Sequence, residues 1–118
     1  MILQSILTPA YTSHAGMTTP PNRQIREGVG VLRIGRLDGP GVDPNTTEYS
    51  VSFGGTVDPV GAILLARVEG LDALRELLQK LKVAPLAIEM ARNALAERAG
   101  HEISGVTLTP ALIRELGL

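Results

Sequence analysis

Between Thr47 and Phe53 the chain alternates strictly, Thr47, Tyr49, Val51 and Phe53 against Glu48, Ser50 and Ser52. A period of two puts one row on a buried face and the other in water, which predicts a strand. The β-branched and aliphatic stretch from Val29 to Leu37 predicts a strand before it, and Ala62–Val68 a more deeply buried one after it. Asp38-Gly39-Pro40-Gly41 and Asp43-Pro44-Asn45 punctuate the first junction, Gly54-Gly55 and Asp58-Pro59 the second. Consecutive strands joined in this way predict a three-stranded antiparallel meander.

Beyond Gly70 the period changes to about 3.6. Leu71, Leu74, Leu78 and Leu81 recur on one side, widened by Leu77, while Asp72, Arg75, Glu76, Gln79 and Lys80 fill the other. Pro85 is placed to open a second helix and Gly100 to stop it, with Ile88, Ala91 and Leu95 as its stripe and Met90 and Ala94 beside it. The short connection between them predicts a helical hairpin packed on one face of the sheet. A β-like piece follows at Val106–Leu108. Thr109-Pro110 then supplies an N-cap and a first-turn proline for a short C-terminal helix ended by Gly117. The fold class expected is α+β.

Residues 1–24 have a different texture. Ile2, Leu3, Ile6 and Leu7 make a short apolar piece with room for one strand, and Thr18-Thr19-Pro20-Pro21-Asn22 is biased to extended backbone. This predicts an extended N-terminal arm and linker over 1–24 and a single α+β domain over 25–118. At 118 residues, 44% hydrophobic and 19% charged, the chain can bury a core. With one Phe, two Tyr and no Trp that core must be aliphatic, and stacking platforms for single-stranded nucleic acid are scarce.

The absence of cysteine removes disulfides, thiol nucleophiles and Cys-based metal sites from consideration. No Lys or Arg precedes Arg23, so the basic region of a secretory signal is missing, and the longest apolar run, Val60–Ala66, is too short to span a membrane. A cytoplasmic protein without a membrane partner is expected. The net charge of −1 offers no general attraction to phosphates.

Candidate chemistry is sparse. His14 lies in the arm. His101-Glu102-Ile103-Ser104-Gly105 starts like a zinc-protease HExxH motif but has Gly where the second His ligand belongs. Gly28-Val29-Gly30 begins a dinucleotide fingerprint, yet Arg33 replaces its last glycine and a strand follows where a helix N-terminus would hold the pyrophosphate. Ser52-Phe53-Gly54 is half of a nucleophile elbow, with Ser50 where the leading Gly belongs. Asp38, Asp43, Asn45 and Asp58 carry oxygen ligands in no calcium-loop spacing, and fit turn chemistry instead. No catalytic residue, cofactor or metal is expected.

Leu81-Lys82-Val83-Ala84-Pro85, with Ile88 and Ala91 beyond, resembles the spacing of a helix-turn-helix. In that reading Lys82, Arg92 and Asn93 contact DNA. Against it, the turn lacks Gly, a strand precedes the first helix, and Leu71–Gly100 holds five basic residues against four acidic, a small excess where phosphate contacts dominate affinity. The leading expectation is therefore a non-catalytic interaction or regulatory module whose partner is another protein or a second copy of the chain, a homodimer foremost. Its interaction residues would be Ile2, Leu3, Ile6 and Leu7 of the arm and Leu74 and Leu78 of the leucine stripe. DNA binding is the alternative, and an enzyme without a recognisable motif the third.

Overall fold

The computed structural model describes residues 20–25, 28–38, 42–55 and 62–118. A helical turn, α1 (Pro21–Gln24), precedes three strands, β1 (Gly28–Arg36), β2 (Glu48–Gly54) and β3 (Ile63–Glu69). Helices α2 (Leu71–Lys80) and α3 (Pro85–Leu95) follow, then β4 (Gly100–Leu108) and α4 (Pro110–Glu115). The strands form one antiparallel sheet in the order β3-β2-β1-β4. The fourth strand thus returns through α2 and α3 to lie beside the first, a Greek-key order with helices in its long connection.

The expected three-stranded sheet is corrected to four strands, and Gly100 begins β4 instead of stopping α3, which ends at Leu95. The physical reason is a bulge. Gly30 pairs with Val106 and Leu32 with Ile103, so two residues of β4, Ser104 and Gly105, oppose Val31 alone. Gly105 in this bulge adopts φ 71°, a left-handed conformation that a side chain resists. The inward residues Ile103, Val106 and Leu108 are therefore spaced three and two apart, and the period of two is broken. The segment read as an extended linker also departs from expectation at its end. Pro21–Gln24 is a helical turn with Pro21 at the first position, where its missing N–H costs nothing.

Leu32 and Ile34 of β1 and Tyr49, Val51 and Phe53 of β2 alternate into one cluster. Leu71, Leu74, Leu78, Ile88, Ala91 and Leu95 of the helices complete it, with Leu108 and Ile113 closing the C-terminal side. Helix α2 lies against β3 and α3, α3 against β4, and α1 against α4 and β3. On β3 a second bulge matters: Val51 pairs with Ala66 but Ser52 with Leu64, leaving Leu65 as the extra residue, and both Leu65 and Ala66 are buried.

The turn after α2 is tightly specified. Lys82 N–H donates to the Gln79 carbonyl at 3.0 Å and Val83 N–H to the Leu78 carbonyl at 3.1 Å, the paired bonds of a Schellman motif. Its left-handed position is held by Lys82 at φ 67°. At the other terminus Thr109 accepts the Leu112 N–H on its hydroxyl at 3.1 Å, the cap expected of a Thr-Pro start.

Candidate interaction surface

On β4 His101 pairs with Ile34 and Glu102 with Arg33. Adjacent strand residues face opposite sides, so His101 lies on the face of Ile34 and Glu102 on the other, and the two side chains do not converge. Glu102 instead accepts from Arg33 Nε at 3.2 Å, and Arg33 Nη2 donates to the Gly55 carbonyl at 3.2 Å. Glu102 is well exposed, so the pair is screened and adds little to stability. Gly28–Arg33 belongs to β1, so strand backbone runs through the position where a helix N-terminus would have to begin.

The loop oxygens serve the turns. Asp43 accepts the Asn45 N–H on Oδ1 at 2.9 Å, and Asp38 Oδ2 accepts the Thr47 hydroxyl at 2.7 Å. Tyr49 donates to the Pro44 carbonyl at 2.9 Å. Burial raises the Tyr49 phenol above its ordinary pKa; Arg36 opposes that rise and Asp43 reinforces it. Among the described residues no group of three or more His, Asp or Glu side chains is placed to hold a metal. His14 and Asp58 lie outside the described residues.

Leu74 and Leu78 are fully buried and hold α2 against the sheet, so this chain's own core occupies the leucine stripe. Ile2, Leu3, Ile6 and Leu7 lie outside the described residues. Of the DNA-contact candidates, Lys82 and Asn93 are exposed and Arg92 is half-buried. The missing turn glycine proves no bar to a tight connection, since Lys82 takes its place. The electrostatics of α3 do not favour phosphate, however. Its solvent stripe runs Leu86, Glu89, Met90 and Asn93 at helical spacing, with Glu97 beyond its end, and carries no base.

That same stripe holds a feature the sequence reading did not single out. Leu86 is 73% exposed and Met90 56%, an i, i+4 apolar pair on one side of α3 facing water. The pattern signal was present but faint: Leu86 falls outside the Ile88–Ala91–Leu95 stripe that packs inward. Other large exposed apolar side chains, Val29, Leu37 and Val42, lie on β1 or in the segment after it.

The two outer strands of the sheet, β3 and β4, each carry a bulge on the edge strand itself. Bulges twist an edge and break its ladder of donors and acceptors, which makes both edges poor templates for an added strand. No described helix is long and apolar enough to cross a membrane. No protein-family model matches this sequence, and neither a curated protein nor a solved structure matches it.

Proposed function

We propose that this chain is a non-catalytic interaction module that acts through protein–protein contact and associates with itself as a homodimer in the cytoplasm. The observation that carries the proposal is the Leu86–Met90 pair, two large apolar side chains held in water side by side on a helix. Apolar surface left in water forfeits about 25 cal/mol per Å², and an i, i+4 pair is the spacing by which a helix presents anchors to a partner. The arm supplies a second apolar element, with four aliphatic side chains in its first seven residues. A cysteine-free sequence accords with a reducing compartment.

The DNA reading draws no support from the α3 stripe, where two carboxylates accompany Asn93. Sedimentation of the full chain tests the proposal. The mass should exceed the 12.5 kDa of one chain at tens of micromolar and return to it in the double variant Leu86→Glu, Met90→Glu. A wild-type mass of 12.5 kDa throughout that range overturns the reading.

A further inference from the structure

We infer that the Leu86–Met90 face of α3 receives the apolar segment Ile2–Leu7 of a second copy of the chain, so that two copies exchange their N-terminal arms. The inference rests on the self-association proposed above and names the two surfaces that meet. Four observations lead to it.

The first is that the sheet offers no good alternative. An apolar segment seeking a partner's surface commonly adds to a sheet edge, but here both edges are interrupted, β4 at Ser104–Gly105 and β3 at Leu65. The second is spacing. Ile2 and Ile6, like Leu3 and Leu7, are four apart and adjacent to one another, which gathers all four on one helical side; on a strand Ile2 and Leu3 would point apart. The receiving pair, Leu86 and Met90, has the same interval.

The third observation is reach. Residues 1–19 precede the first described residue, Pro20, and a chain of that length spans up to about 65 Å when extended. The described residues extend 33 Å at their longest, so an arm of that length reaches the α3 face of a second copy as well as its own. The chain enters the fold at α1, against α4 and β3, whereas α3 lies against β4 at the opposite margin of the sheet. The fourth is area. A stable interface buries about 800 Å² on each partner, and two copies of α3 meeting through Leu86 and Met90 alone fall well short of that. Two exchanged arms add their own surface twice, by the two-fold symmetry usual for homodimers. Charge agrees as well: no Asp, Glu, Lys or Arg side chain occurs before Arg23, so Ile2–Leu7 brings no carboxylate against Glu89 beside the apolar pair.

The test uses the full chain. The arm variant Ile6→Asp, Leu7→Asp and the face variant Leu86→Glu, Met90→Glu should each weaken dimerisation at least tenfold while keeping the wild-type circular dichroism spectrum. Because the chain has no cysteine, the double variant Ile6→Cys, Met90→Cys holds its only thiols at the two proposed surfaces. Mild oxidation should link them between chains and give a covalent species of twice the 12.5 kDa chain mass. If the arm variant dimerises with the wild-type constant, arm exchange is wrong while self-association stands. If the thiols join within one chain, or fail to join, the exchange is equally overturned. A wild-type chain that is monomeric removes the functional proposal itself.

Discussion

The guanidinium of Arg36, at the end of β1, donates from Nη1 to the carbonyl oxygen of Leu95, the last residue of α3, at 3.0 Å. Nη2 donates to the Val42 carbonyl, and the Arg36 N–H to the Ala99 carbonyl at 2.8 Å. One buried side chain therefore fastens the sheet to the negative end of a helix and to the segment between β1 and β2. Replacing Arg36 by Ala leaves a buried helix-end carbonyl without its donor and should cost on the order of 3 kcal/mol in urea unfolding. Arg36→Lys, with no planar fork, should recover only part of that loss.

Lys82 offers a change in the opposite direction. A side chain in the left-handed region costs about 1–2 kcal/mol, partly offset by the extra chain entropy a glycine loses on folding. Since Lys82 is exposed and donates only through its backbone among the described bonds, Lys82→Gly should stabilise the fold by about 0.5–1 kcal/mol. A rise in urea midpoint without a change in slope is the expected signature.

Gly30 is a position where even one methyl is too many. A Cβ there would meet the Gly54 carbonyl oxygen and stand 2.8 Å from Phe53 Cζ, because the Phe53 ring lies over the bare backbone of β1. Gly30→Ala should lower stability by about 2–3 kcal/mol, and shortening Phe53 to Leu in the same chain should recover part of it. A double-mutant cycle measures that coupling.

Tyr49 gives a pH dependence of known sign. Burial raises its pKa in the folded chain, so below about pH 10 the phenol is protonated whether folded or unfolded and contributes no slope. Above that pH the unfolded chain releases the proton first, and stability falls as pH climbs through the folded value. Tyr49→Phe should give up roughly 1 kcal/mol at neutral pH through the lost bond to Pro44 and show a shallower alkaline decline. Chemical unfolding of both chains at pH 7 to 11 tests both parts.

Leu74 and Leu86 separate core from surface. Leu74→Ala should cost about 2–5 kcal/mol, whereas Leu86→Ala should change monomer stability by less than about 0.5 kcal/mol. If the two costs proved equal, the division drawn between inner and outer helix positions would fail.

Elements with an unbroken period were readable from the residues alone. Thr47–Phe53 became β2, the leucine stripe became α2, and the Pro85 and Thr109-Pro110 signals opened α3 and α4 as expected. What escaped was non-local. Of β4 only the end, Val106–Leu108, was legible, because its bulge shifts the inward positions by one residue and only pairing with β1 defines where that shift falls. Arg36 gave no sign of burial, since its acceptors come from Val42 and Leu95, one near and one far along the chain. The candidate surface was partly visible: spacing picked out the helices but assigned Leu74 and Leu78 to a partner. Leu86 carries only a faint signal in the pattern, since a lone leucine off the stripe is distinguished by its exposure.

The pairing of β1 with β4 also bears on the order in which the molecule assembles. Arg33 meets Glu102 across 69 residues, whereas its other bonded neighbour, Gly55, is 22 residues away. Closing the longer loop costs more chain entropy, and topologies rich in such distant pairings fold slowly. The β1–β2 ribbon can form early, but β1 keeps one bare edge until the last strand arrives. Destabilising changes in β4 should therefore speed unfolding more than they slow refolding, and those in β1–β2 the reverse. Until residue 108 is in place, the strand at the centre of the fold is itself an edge, and during that interval the chain is most open to pairing with the wrong neighbour.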